Sequence, residues 1–361
     1  MNRFSGQPRS NQAGLTLPEV LVAMLLGLFI TAGGISLFVT NKVVYTDAAR
    51  LTELHENAHF AQQYLLDDLR HAYFFGGVTK SSDAIDFDSN TLTNTAVAQN
   101  CAHPAAAFGE RYLFGASATG GSAIGCIEDA ARVNGIPSDV LVLKRLASRP
   151  IVDMGSLIAG DMGSLIAGNV YVAANRLTAI VFQAKEAVDV PLVSTPCDPE
   201  RRCVPYGAYW RYVFHAYYVR DADPLDAAPP TLARKTLEWD DTNGMSMVTE
   251  NLVEGVEGMR ILYGARTVND ALFYTDANGV TDWEDIAAVR VHLLVRTLAP
   301  EPSHDDEATY VLGDTEVDFA DANFATSLSQ GAQLRNFHRR VVSATVMLRN
   351  KSIIDQTEQQ P

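Results

Sequence analysis

The sequence contains no G-x-S-x-G, no G-x-G-x-x-G and no Walker A stretch. Serine-hydrolase, dinucleotide and P-loop chemistry therefore lack the turns that each requires. Basic residues are in the minority: 28 Lys and Arg stand against 43 Asp and Glu, a formal charge of −15. That balance removes the positive surface that nucleic-acid binding needs. Cysteine is scarce, with Cys101, Cys126, Cys197 and Cys203 and no C-x-x-C among them, so neither a zinc ribbon nor a thioredoxin-like pair is encoded. No cofactor and no metal is expected.

The most informative absence is local. From Val20 to Asn41 there is no charged residue. Those 22 residues, wound as a helix, rise about 33 Å, enough to cross a bilayer core of about 30 Å. Residues 1 to 14 carry Arg3 and Arg9 and no acid, which keeps that end cytoplasmic and places the remainder outside the inner membrane. At the mouth of the apolar run stands a lone acid, Glu19, with no base nearby and no partner expected in its own helix. A carboxylate there is costly in lipid and marks function. A secretory signal would carry its cleavage site after the apolar run, and nothing beyond Val39 reads A-x-A.

A short basic leader ending in Gly14, then Leu15, then Glu19 as the fifth residue of the mature chain resembles the type IV prepilin signature. The resemblance implies cleavage between Gly14 and Leu15, N-methylation of Leu15, and a role for Glu19 in assembly, where it meets the new amine of a neighbouring subunit. Leu15 replaces the family's usual Phe, and Pro18 falls in the first helical turn, where its missing N–H costs nothing.

Beyond the span the helical period continues through Leu51, Leu54, Ala58, Ala61, Leu65, Leu69 and Ala72, with Arg50, Glu53, Glu56, Gln63, Asp67 and Arg70 on the other faces. One helix of nearly 60 residues, about 90 Å, is expected, ended by Gly76-Gly77. The stretch from Glu56 to Gly77 is similar to PilW-type minor pilins, with its acid-Asn-Ala-x-Phe-Ala pattern and D-L-R before an aromatic-Gly end. The J-type pseudopilin of type II secretion shares this plan. Within the same helix His55, Glu56 and His59 spell H-E-x-x-H, the zincin pattern. No G-x-x-H follows, and the next Glu is Glu110, so a chance match on a packed helix is the preferred reading over a membrane-anchored zinc protease.

The periodicity then falls to two. Residues 139–146, 177–184, 209–219, 231–239, 259–263, 286–298 and 337–348 are strand candidates, rich in Val, Ile, Tyr and Thr. In the sixth of these, Val289, Val291, Leu293 and Val295 should face the core, with Arg290, His292 and Arg296 wet. The last two candidates are also similar to the end of PilW-like proteins. Asp240–Gly244 and Thr275–Gly279 read as hairpin turns on their Asn-Gly pairs, and Asp305-Asp306-Glu307 as a solvated loop. The octamer D-M-G-S-L-I-A-G occurs twice in tandem over 153–168, too few copies for a solenoid and suited to a surface loop. In an oxidising compartment the four cysteines form two disulfides. Of three connectivities, Cys101 with Cys126 and Cys197 with Cys203 are favoured, because each pair is close in sequence and flanked by turn residues.

The expected fold class is α+β and pilin-like, a long N-terminal helix followed by a mainly antiparallel β domain. It divides as leader 1–14, membrane or filament-core helix 15–41, amphipathic continuation 42–76 and periplasmic domain 77–361. The resemblance implies a non-enzymatic minor pilin of the inner membrane and later the cell-surface pilus. Its partners would be other minor pilins, the major pilin, the prepilin peptidase, the assembly platform and a PilY-type tip adhesin.

Overall fold

A computed structural model describes residues 16–78, 85–88, 92, 112–118, 124, 127, 130, 135–151, 165–186, 190–193, 196–197, 202–220, 229–240, 242, 244–266, 271–321 and 334–351. The chain divides into two compact units, 1–52 and 53–361. Gly14, Leu15, Cys101, Cys126 and most of the 153–168 repeat lie outside the described residues.

One helix, α1 (Leu17–Arg70), runs through the first unit and into the second. Within the second unit its steps of three and four bury Leu54, Ala58, Ala61, Leu65, Asp68 and Leu69. The helix stops at Arg70, short of the expected Gly76-Gly77. Winding first tightens: the N–H groups of His71, Ala72 and Phe74 donate to the carbonyls of Asp68, Leu69 and His71. Tyr73 then takes φ +61°, followed by Gly76 at +65° and Gly77 at +91°. The aromatic run causes the break, because its rings find partners in different directions. Phe74 meets Trp210 edge-on at 5.3 Å, Phe75 lies 4.4 Å from Tyr112, and the Tyr73 hydroxyl donates to the Trp283 carbonyl at 3.0 Å. No single helical face delivers all three.

The second unit holds fourteen strands among its described residues. They are β1 (Ile85–Phe87), β2 (Leu113–Ala116), β3 (Val140–Leu146), β4 (Val170–Ala174), β5 (Ala179–Gln183), β6 (Ala208–Arg220) and β7 (Thr231–Asp240). After them come β8 (Gly244–Glu254), β9 (Val256–Arg266), β10 (Leu272–Thr275), β11 (Ile286–Arg296), β12 (Thr309–Leu312), β13 (Thr315–Asp318) and β14 (Arg339–Met347). An eight-stranded sheet runs β1-β5-β4-β6-β3-β2, with β7 and β8 added beside β6. A four-stranded sheet runs β10-β9-β11-β14, and β12 with β13 makes a hairpin. The fold is α+β and mainly antiparallel as expected; β1 beside β5 is a parallel pair.

The main core joins the buried stripe of α1 to the inner faces of both large sheets. A second cluster (Leu165, Tyr171, Ile180, Phe182, Val204 and Tyr209 among its members) sits around β4 and β5. A third packs Leu312, Val317 and Phe319 of the hairpin region onto Ile136, Leu294 and Leu334.

Three surface readings need correction. The supposedly wet face of β11 is covered: His292 and Arg296 are buried, since the β12–β13 hairpin lies over that face. Asp306 is buried and bound to Arg339 at 3.0 Å, while Asp305 and Glu307 remain exposed. Asp240–Gly244 does join a hairpin, β7 to β8. Thr275–Gly279 does not: it forms a short 3-10 turn capped by Asp276, whose carboxylate accepts from Gly279 N at 3.0 Å.

Candidate functional site: the long helix

In the first unit α1 begins with a cap. The Thr16 carbonyl accepts from Glu19 N at 3.0 Å and from Val20 N at 3.1 Å. A Glu19 carboxylate oxygen reaches back to Thr16 N at 3.5 Å and to the Thr16 hydroxyl at 3.4 Å. T-x-x-E is thus a loose capping box, with Pro18 inside the first turn. Glu19 therefore has a partner in its own helix, contrary to the sequence reading, though one held by long contacts that leave the carboxylate exposed. From Thr16 to Thr46 every residue is exposed. One window of 18 residues reaches a mean hydropathy of 2.3 with none of it buried. Leaving Leu, Ile, Phe or Met side chains in water forfeits about 1.5–3 kcal/mol each, so this surface requires lipid or other helices around it. Nothing would crowd a Cβ at Gly27, Gly33 or Gly34, so these positions lower the local profile for a close neighbour. The hydroxyls of Thr31 and Thr40 donate to the carbonyls of Gly27 and Ser36, which hides them within the helix.

In the second unit the helix carries a charge where a hydrophobe is expected. Asp68 falls on the buried stripe, three residues after Leu65 and seven after Ala61, and is buried. Its carboxylate accepts from Arg145 of β3, from His215 Nδ1 at 2.5 Å and from the Tyr217 hydroxyl at 2.8 Å, both on β6. Behind Tyr217 stands Arg234, 3.4 Å from the hydroxyl and bound to Glu250 at 2.5 Å. Burial alone would raise the Asp68 carboxyl. The hydrogen bond from His215 and the nearby Arg145 charge outweigh it and hold the group well below the usual carboxylate range. Burial pushes His215 below its ordinary value, against the pull of Asp68, so at neutral pH it is an uncharged imidazole donating from Nδ1. Arg145 is then the counter-charge. Sequence reasoning missed this bolt, although an acid on an apolar stripe was a legible signal.

Two further buried networks stiffen the four-stranded sheet. Arg260 of β9 holds Asp314 at 2.7 Å, Asp139 at 3.3 Å and Asp276 at 3.4 Å. Glu257 is bound by Arg339 at 2.7 Å and Arg296 at 3.4 Å. Burial opposes the Glu257 charge, but the two guanidinium groups prevail and depress its carboxyl.

The H-E-x-x-H residues His55, Glu56 and His59 lie on the helix, with both histidines exposed. Arg340 donates to His55 Nε2 at 2.8 Å, which occupies one of the two ring nitrogens. Among the described residues no group of three or more His, Cys, Asp and Glu could hold a metal. Cys197 and Cys203 are joined by a disulfide, their Cα atoms 5.8 Å apart. Inside that short loop Arg202 pairs with Asp86 and, at 2.7 Å, with Asp88 of the β1 region.

The prokaryotic N-terminal methylation motif matches residues 9–35, spanning Gly14, Leu15, Glu19 and the apolar start of α1. Type IV pilus-assembly protein W, PilW, matches residues 216–350, from the middle of β6 to the end of β14. Through these two matches the chain is similar to PilW-type prepilins. Helix and motif together fit a membrane-anchored pilin, and both matches point to a structural protein. The Glu56–Gly77 stretch, where a likeness to PilW-type pilins is also legible, lies outside both matched regions. No curated protein and no solved structure matches the chain.

Proposed function

We propose that the protein is a minor pilin that helps to initiate or cap type IV pili. The observation that carries this reading is the pairing, in one chain, of the methylation motif at 9–35 with the PilW match at 216–350. The J-type pseudopilin of type II secretion would share the first of these, and the second favours the pilus. In the proposed arrangement residues 1–14 are a leader removed between Gly14 and Leu15, with Leu15 then N-methylated. Residues 15–41 anchor the chain in the inner membrane, residues 42–76 carry the amphipathic continuation, and the β domain of 77–361 lies in the periplasm. Its partners are the prepilin peptidase, the assembly platform, other minor pilins, the major pilin and a PilY-type adhesin near the pilus tip.

Glu19 supplies the assembly chemistry. Its contacts to Thr16 are long, so the carboxylate can exchange them for a stronger partner. Cleavage creates an amine on Leu15, and in a bundle of anchors the amine of one subunit can meet the Glu19 of another in a low-dielectric setting. The test is co-purification from membranes. Glu19→Ala should be inserted and cleaved at Gly14, as judged by intact mass, yet recover several-fold less of the partner pilins, with Glu19→Asp between. A mature chain starting anywhere but Leu15, or undiminished recovery with Glu19→Ala, would overturn the reading.

A further inference from the structure

The four-stranded sheet ends at β14, and the pairing of that strand fixes which of its backbone groups are spent. Leu348 N donates to Ala287 O at 2.8 Å and Thr297 N to His338 O at 2.9 Å, so residues 338 and 348 belong to the bonded pairs of the ladder. The register between them is unbroken, with Met347 opposite Ala288 and Arg339 opposite Arg296. Even-numbered residues therefore bond to β11, and Val341, Ser343, Thr345 and Met347 aim their N–H and C=O groups away from it. No other strand pairs with β14 among the described residues. This is an edge of nine residues without proline, and its one buried charge, Arg339, stands at the first position, leaving 340–347 without an inward-pointing charge to blunt them.

The charge along this edge departs from the rest of the chain. From Leu334 to Lys351 there are five Lys and Arg and no acid, in a sequence of net charge −15. Other arginines of the sheet hold carboxylates: Arg260 and Arg296 do, and so does Arg339 at the start of β14 itself. Three arginines on or beside the edge hold no carboxylate among the described residues. Arg340 is exposed and donates to His55, Arg290 lies over the Tyr274 ring at 4.1 Å and contacts Thr345, and Arg349 is exposed.

We propose that β14 is a docking edge for an extended acidic segment of another protein, which adds to the sheet as a fifth strand. Backbone bonds to Val341, Ser343, Thr345 and Met347 give affinity, and carboxylates reaching Arg290, Arg340 and Arg349 select the acidic partner. The inference stands on the edge itself and does not depend on the pilus reading.

The test uses the full-length protein in detergent with two synthetic strands of about ten residues, one alternating Val and Glu, the other Val and Lys. Fluorescence anisotropy should show binding of the acidic strand, with the basic one at least about tenfold weaker. Hydrogen exchange should slow at residues 341, 343, 345 and 347 and stay unchanged at the even positions between them. Met347→Pro removes one outward N–H without touching the β11 ladder, and should weaken binding about tenfold. Arg340→Glu with Arg349→Glu leaves the backbone intact and should do the same. Absence of binding, binding without protection at the odd positions, or binding indifferent to both variants would overturn the proposal. Self-association that Met347→Pro abolishes would overturn it in favour of a second copy of this chain.

Discussion

Replacing Asp68 by Ala should be the most damaging single change on the second half of the helix. Asp68 is buried and receives Arg145, His215 and Tyr217, from two strands of the large sheet. Its loss leaves a guanidinium with 15% of its side chain exposed and two buried donors without their acceptor. Removing one member of a buried ion pair costs about 3–5 kcal/mol, set against a typical total stability of about 5–15 kcal/mol. The neighbouring Asp67 is the control. It pairs with Arg70 at 3.0 Å, but 59% of its side chain is exposed, so Asp67→Ala should cost less than about 1 kcal/mol. Urea unfolding followed by tryptophan fluorescence reads the right unit, because Trp210, Trp239 and Trp283 all lie beyond residue 52. Combining Asp68→Ala with Arg145→Met should cost less than the sum of the single changes, since the second removes the charge stranded by the first. The pH dependence has a fixed sign. With its carboxyl depressed in the fold, Asp68 contributes its full stabilisation above the ordinary aspartate range and loses it as pH falls toward the lower folded value. Costs for Asp68→Ala and Asp67→Ala within 1 kcal/mol of each other at neutral pH would refute this account.

Gly76 has φ +65°, and a Cβ there would stand 2.8 Å from both Ala174 Cβ and Trp210 Nε1, so Gly76→Ala should cost about 2–4 kcal/mol. At Gly77, φ +91° with open space around it, the same change should cost only about 1–2 kcal/mol; equal losses in thermal or urea unfolding would contradict the packing argument. The disulfide between Cys197 and Cys203 spans six residues of sequence, and replacing both by Ser should cost at most about 2 kcal/mol in the chain-entropy account. Unfolding midpoints with and without reductant check this, and a loss above about 4 kcal/mol would mean that the bridge does more than close its loop.

The span, the amphipathic stripe and seven of the strands were legible because each rests on a local period that water or lipid enforces. The short strands β1, β2 and β4, of three to five residues, show no period of their own. The long β8 escaped for another reason: its polar and apolar residues do not alternate cleanly, and most of it is half-buried. The face of β11 was misread because its Arg290, His292 and Arg296 look wet to any local rule. Only the arrival of Leu312, Val317 and Phe319 from a distant hairpin covers it. Glu257 and Asp306 were invisible as structural groups for the same reason, since their arginine partners lie 33 to 82 residues away, whereas Asp68 left a signal on the apolar stripe that went unread. Glu19 stands apart, because its importance is read from the absence of other charges and needs no partner in the fold.

Strand β6 is thirteen residues long and serves different neighbours along its length. Residues 208–211 pair with β4, while 215–220 pair with β7. Beyond the first half lies a lobe with its own apolar cluster around β4 and β5, and the PilW match begins only at residue 216, within the second half. The strand is therefore a graft union. Changes of length within the β4–β5 lobe can be absorbed there without moving the register of β7 or any strand after it. Length can change on one side of that union while the strands within the PilW match keep their places.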